Sequence, residues 1–381
     1  MRISVISFTI KGEKLSERLA KQLKETEVRL YTRCSRIRGE GMASYLEEDL
    51  KQWTGRQMEE RNGLVFIGAC GIAVRSVAPF LADKLYDSPV LVMDENGQYV
   101  IPILSGHMGG ANELAEFIGK RMKALPVITT ATDIHRTFAV DLFAKKNKLF
   151  IVNREGIAKV SSKVLAGESI TISIEPGHLE KSGIRGVPDV SEEKALEGSG
   201  YFKEETPLSK ELQIPREITL AEYPPHQSVD VVVTAEKEAW DASLVLMPRE
   251  YVIGMGCRKG KEAEKIEAYI RQALEETGIL IGQVDALASI DLKSREEGFL
   301  SWSRKKRIPF LTYTAEELND VREQVCPSEF VEQITGVDNV CERAALKAAG
   351  PGGKLIYGKH AKEGMTMAIA KRKWRVTFDE T

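Results

Sequence analysis

At 381 residues the chain is long enough for two or three domains and a sizeable core. Its 54 Lys and Arg nearly balance its 56 Asp and Glu, which argues against a dedicated nucleic-acid binder. Five cysteines, at 34, 70, 257, 326 and 341, show no CxxC or other metal-ligand spacing and read as reduced thiols of a cytoplasmic protein.

The first residues, MRISVISFTI, lack a long apolar core and a small-residue cleavage site, so no signal peptide is expected. Alternation then begins. Arg2–Phe8 reads as a strand, Lys14–Lys24 as a helix with Leu15, Leu19 and Leu23 on one face, and Val28–Tyr31 as a strand. Tyr45–Arg56 is expected to be helical, Leu64–Ala69 a buried strand, and a helix starts near Ile72. Residues 63–82 are long enough to span a membrane, but Arg75, three glycines and Pro79 interrupt them, and no membrane span is expected. Val90–Met93 and Tyr99–Leu104 flank Asn96-Gly97, a hairpin turn. A helix at Asn112–Lys123 and a strand at Pro126–Thr129 follow.

Helix Thr137–Lys146 and strand Leu149–Val152 open a different region. Seven of the 14 prolines fall between Glu175 and Pro248, which marks a smaller, loop-rich middle region with strands at Ile218–Tyr223 and Val229–Thr234. A clean α/β unit then runs from strand Tyr251–Met255 through helix Glu262–Glu276 to strand Met365–Ala370. The fold class expected is α/β, with two layered domains at 1–135 and 251–381, mostly parallel or mixed sheets, and the middle region 136–250 between them.

Three strand-to-helix junctions are rich in glycine: Gly68 to Arg75, Ser105 to Glu113, and Gly254 to Gly260. Such junctions line the crevice at the carboxyl ends of strands, where bare backbone N–H groups attract anions. From them Gly68, Gly71, Arg75, Ser105, Gly106, Gly109, Gly110, Asn112, Gly254, Gly256, Cys257 and Arg258 are taken as ligand-binding candidates, with Thr130 from the neighbouring Thr129–Asp133 stretch. Arg75 and Arg258 supply carboxylate forks, each expected to contribute ~1.5–3 kcal/mol to binding. His107, flanked by Gly106 and by Gly109-Gly110, is the candidate general base or acid, with the Gly109 and Gly110 N–H groups as oxyanion donors. Asp133 and Glu113 are the alternative acid–base candidates. Cys70 and Cys257 read more simply as small buried hydrophobes than as nucleophiles, and His178 and His226 as surface residues. No HExxH or paired His/Cys motif predicts a protein-bound metal.

The blocks GACGIAVR, PILSGHMGGANELA, ITTATD, IGMGCRKG, NVCERAALKAAG and GMTMAIA, in this order, resemble the cobalt-precorrin-5A hydrolase family of anaerobic cobalamin (vitamin B12) biosynthesis. The resemblance spans essentially the whole chain. It implies opening of the ring A δ-lactone of a cobalt-bound tetrapyrrole and release of a two-carbon fragment as acetaldehyde, giving cobalt-precorrin-5B. It also implies that cobalt arrives with the substrate, that the protein supplies no cofactor, and that neighbouring pathway enzymes are the partners for substrate transfer. In the family a small hydroxyl residue often stands where Asn339 stands, so no hydroxyl role is carried over to that position. Two other readings remain: a non-catalytic corrinoid carrier of the same pathway, and a nicotinamide oxidoreductase suggested only by Gly254, Gly256 and Gly260.

Overall fold

The computed structural model describes residues 2–39, 41–83, 87–131, 137–180, 214–321, 325 and 329–378. The chain divides into two compact units, Met1–Leu142 and Phe143–Thr381.

The first unit is built on one seven-stranded sheet. In chain order its elements are β1 (Ile3–Ser7), α1 (Ile10–Gln22), β2 (Val28–Thr32), β3 (Ser44–Tyr45), α2 (Leu50–Glu59), β4 (Gly63–Ile67), α3 (Cys70–Val77), β5 (Val90–Met93), β6 (Tyr99–Leu104), α4 (Ala111–Met122) and β7 (Leu125–Pro126), and the unit boundary falls within the next helix, α5 (Val140–Lys146). The strands lie in the order β3-β2-β1-β4-β5-β6-β7. The first five run parallel, and β6 turns antiparallel to β5, Val90 facing Leu104 and Met93 facing Val100. The final strand, β7, is parallel to β6.

Every residue of β1, β4 and β5 is buried, because helices cover both faces of a parallel sheet. Leu15 and Leu19 of α1 and Leu114 and Ile118 of α4 pack with Val5 and Ile67 on one face. Trp53 of α2 and Ala73 and Val77 of α3 pack with Ile6 and Phe66 on the other. The helix expected over Tyr45–Arg56 begins later. Asp49 accepts a hydrogen bond from the Lys51 N–H at 2.8 Å and caps α2, while Ser44–Tyr45 joins the sheet edge. The strand expected at Pro126–Thr129 pairs only as Leu125–Pro126.

The second unit holds two sheets. The middle region contributes β8 (Leu149–Ile151), α6 (Glu155–Leu165), β9 (Ile170–Ile174), β10 (Ile218–Ala221), β11 (Val229–Val233) and β12 (Ala242–Pro248). These strands form a five-stranded sheet in the order β10-β9-β11-β12-β8, with only β8 antiparallel. The remainder is β13 (Tyr251–Cys257), α7 (Ala263–Thr277), β14 (Val284–Ile290), α8 (Glu297–Lys306), β15 (Phe310–Tyr313), α9 (Ala315–Asn319), α10 (Glu329–Thr335), α11 (Val340–Ala349), β16 (Lys354–Lys362) and β17 (Met365–Lys371). Its sheet order is β15-β14-β13-β17-β16, with β17 antiparallel to both neighbours. The apolar face of α7, Ile266, Ile270, Ala273 and Leu274, is buried against this sheet. No helix among the described residues is long and apolar enough to cross a membrane.

Candidate acid–base site at a sheet edge

The direction of β6 decides where the His107 loop lies. Because β6 runs against β5, its carboxyl end at Leu104 sits beside Val90, at the amino ends of the parallel strands. The loop 105–110 therefore opens on the edge where β4 and β5 begin. Gly68, Gly71 and Arg75 follow β4 and open on the opposite edge. A strand the length of β4 separates the two edges by roughly 13 Å. The expectation that these blocks share one crevice is corrected by this topology. The rule that ligands meet carboxyl ends of strands still holds locally, since β6 and β7 are parallel and both end on the His107 edge.

The loop is shaped by close contacts. Ser105 adopts a left-handed φ of 58°, a conformation that costs a non-glycine residue on the order of 1–2 kcal/mol. Its hydroxyl is buried and makes no hydrogen bond within the protein. Gly109 lies directly over it: a Cβ there would stand 2.2 Å from the Ser105 Cβ. A Cβ on Gly106 would stand 2.8 Å from the Asn112 side-chain oxygen. Three loop carbonyls take the N–H groups that open α4: His107 accepts from Gly110 at 3.0 Å, Ser105 from Ala111 at 3.0 Å and Gly106 from Asn112 at 3.1 Å. The Gly110 N–H is thus committed inside the loop and is not an oxyanion donor. Asn112, 6% exposed, donates from Nδ2 to Thr130 Oγ1 at 3.0 Å and ties α4 to the segment after β7. Glu113 is on the exposed side of α4. Asp133 and His135 lie outside the described residues, as does Cys326.

His107 is held in a half-buried position. Its Nδ1 is 3.6 Å from Oδ2 of Asp141, and the two side chains are 15% and 18% exposed. That is an ion-pair distance, several tenths of an ångström longer than a formed hydrogen bond. The other carboxylate oxygen, Oδ1, accepts from the Leu142 N–H at 3.0 Å. Burial pushes the Asp141 carboxyl up, but the His107 imidazole beside it and the backbone N–H groups of Asp141 and Leu142 outweigh it and hold the group below the usual carboxylate range. Asp141 was not a sequence candidate. Its spacing from His107, 34 positions across a helix and a strand, carries no local signal, and only the fold joins them.

The glycines of the third block have other duties. Gly254 and Gly256 stand inside β13, not in a turn, opposite Ala368 and Thr366 of β17. A Cβ on Gly254 would come 1.9 Å from the Cys341 carbonyl oxygen, so this glycine admits α11 against the sheet. The expectation of a binding turn at Gly254 is corrected by that packing, and so is the nicotinamide fingerprint built on it. Arg258 and Gly260 follow the strand at its carboxyl end, and Gly260 donates to Glu296 Oε1 at 2.8 Å. The Arg258 side chain is exposed and runs along Gly364. Burial pushes the Cys257 thiol up to about 11, so it is protonated at neutral pH. Cys70, by contrast, is exposed at the start of α3. Asn339 caps α11, its side-chain oxygen accepting from the Glu342 N–H at 3.0 Å, a duty a serine or threonine performs equally well. Among the described residues no group of three His, Cys, Asp or Glu side chains is placed to hold a metal.

Fold and site together define an α/β protein with mixed sheets that holds an imidazole beside a carboxylate at one end of the strands of its first sheet. Residues 52–133 match the family described as Cobalamin synthesis G N-terminal, and residues 251–370 match Cobalamin synthesis G C-terminus. The cobalt-precorrin-5A hydrolase of Priestia megaterium is 35% identical over 297 residues, covering 77% of this chain and 74% of that protein. The enzyme of the same name from Salmonella typhimurium is 29% identical over 372 residues, 96% of this chain and 97% of that protein. Protein CobE of a Sinorhizobium species is 32% identical over 120 residues, 31% of this chain and 78% of that protein. The chain belongs to the cobalt-precorrin-5A hydrolase family.

Proposed function

We propose that this protein hydrolyses the ring A δ-lactone of cobalt-precorrin-5A and then releases the two-carbon fragment as acetaldehyde, leaving cobalt-precorrin-5B. Membership of the family supports the reaction. The observation that carries the site is His107, half-buried beside Asp141 in a loop of glycines at the sheet edge.

In the first step His107 removes a proton from water as the oxygen attacks the lactone carbonyl. The Gly109 N–H is the loop donor assigned to the developing oxyanion. Collapse of the tetrahedral species breaks the ring C–O bond, and the imidazolium returns the proton to the departing alkoxide. In the second step the freed hydroxyl loses its proton, the C–O bond becomes a carbonyl, and the electrons of the breaking C–C bond pass into the macrocycle. Both steps require one group that accepts and returns a proton near neutral pH, which suits an imidazole. Cobalt is part of the substrate. The four described cysteines are all free thiols, in keeping with a cytoplasmic setting for the reaction.

Anaerobic incubation of the protein with cobalt-precorrin-5A tests this reading. Acetaldehyde and a product that has gained one water and lost the acetaldehyde, a net loss of C2H2 from the substrate, are expected together. Binding of the substrate with neither product would make the protein a carrier.

A further inference from the structure

We infer that the Ser105 hydroxyl is a second oxyanion donor beside the Gly109 N–H, and that its hydrogen-bond partner is the lactone carbonyl oxygen of the substrate. The inference rests on the His107 edge being the reaction site and deepens that reading.

Two uncommitted donors lie in one loop. The Ser105 Oγ is buried and makes no hydrogen bond within the protein, an unfavourable state for a hydroxyl taken out of water. The Gly109 N–H makes none either among the described residues, whereas the Gly110 N–H is committed to the His107 carbonyl. The two residues touch: a Cβ on Gly109 would stand 2.2 Å from the Ser105 Cβ and 2.8 Å from the Ser105 carbonyl oxygen. Ser105 holds this place with a φ of 58°, a conformation uncommon for any residue with a side chain. A buried hydroxyl without a partner and a strained backbone each lower stability, and such features gather where a site is organised in advance. An acceptor supplied by the substrate explains both, because a donor fixed beforehand needs no reorganisation as charge develops on the oxygen. The Gly109 peptide carries no side chain and no hydrogen bond among the described residues, so it is the part of the loop that yields to admit the carbonyl. The hydroxyl donates a hydrogen bond and keeps its proton, so no bond to Ser105 forms or breaks. It is not arranged as a nucleophile, since no base is hydrogen-bonded to it.

The test uses two variants of the full chain, Ser105→Ala and Ser105→Gly, the second of which takes up a left-handed backbone without strain. Both remove the unpaired oxygen, so melting temperatures should stay at the wild-type value or rise. With cobalt-precorrin-5A in single turnover, lactone opening is read as the gain of one water in mass. It should slow on the order of 10²-fold in both variants, the scale of one lost oxyanion donor, with substrate affinity within about threefold of wild type. Acetaldehyde release from substrate whose lactone has first been opened with mild alkali should keep its wild-type rate, since that step adds nothing to a carbonyl. Equal slowing of both steps would mean a displaced substrate and overturns the inference. A fall in melting temperature with lactone opening per folded molecule unchanged would make Ser105 structural and overturns it too. Wild-type lactone opening in both Ser105 variants, with slow opening in His107→Asn, removes the donor and leaves the base in place. Wild-type rates in the Ser105 variants and in His107→Asn alike take the reaction away from this edge, and the donor with it.

Discussion

The residues around His107 divide between chemistry and shape. Ser105 is a ligand-binding candidate from its place in the glycine-rich junction, and its oxygen is buried with no hydrogen bond within the protein. Its left-handed backbone, admitted by the bare Gly109 above it, is what turns the chain from β6 into α4. Gly109→Ala should therefore disrupt the loop: the new methyl would meet the Ser105 Cβ at 2.2 Å, and a loss of about 1–3 kcal/mol is expected in denaturant unfolding. A variant as stable as wild type would show that the loop is looser than this contact requires. Elsewhere, Asp230 illustrates how a buried carboxylate ties stability to pH. Burial raises its pKa, but the Lys163 ammonium at 2.7 Å and the N–H and hydroxyl of Thr171 more than offset this and hold it below the usual range. A lowered folded-state pKa stabilises the fold above the unfolded value near 4 and loses that contribution as pH falls through the folded one. Asp230→Asn should lower the melting temperature at pH 7, and the gap to wild type should narrow as pH falls from 5 to 3. A gap that stays constant over that range would mean the Asp230 charge contributes nothing.

Among the elements, the long periodic ones were legible in the sequence and the short ones were not. Leu15, Leu19 and Leu23 announced α1, and the all-apolar β4 and β5 announced strands covered on both faces. The edge strand β3 has two residues, too few for any period, and was read as the start of α2. In the middle region the proline density signals loops and masks β9 and β12, although four parallel strands lie there. The glycine blocks were legible as special but not as to purpose. A glycine that frees a turn and one that admits a helix look alike in sequence. Gly254 is the second kind, and Gly254→Ala, with its Cβ 1.9 Å from a backbone oxygen, should destabilise by about 3 kcal/mol, the upper end of the overpacking range. Gly256→Ala meets only the Thr366 hydroxyl, at 2.8 Å, and a side chain can rotate away, so it should cost less than half as much. Equal losses in thermal unfolding would contradict the packing assigned to α11.

For the molecule as a whole, strand direction matters more than motif order. The sequence sets GACGIAVR and SGHMGG some 35 residues apart as if they were two walls of one crevice, and a single antiparallel strand, β6, sends them to opposite edges. Asp141 joins His107 at one of those edges only through the fold. With the chemistry at the His107 edge, Arg75→Ala should leave kcat/KM within about twofold of wild type, since the Arg75 guanidinium donates to the Gly71 carbonyl at 3.2 Å on the far edge. A tenfold or greater loss would relocate substrate binding to the carboxyl ends of β1 and β4. The most direct measurement is turnover of cobalt-precorrin-5A by folded His107→Asn under anaerobic conditions, with lactone opening followed by product mass and acetaldehyde assayed in the same sample. Lactone opening should slow by ~10²–10⁴ while the melting temperature and substrate binding stay near wild type. Turnover per folded molecule close to that of wild type would contradict the assignment of His107 as the base.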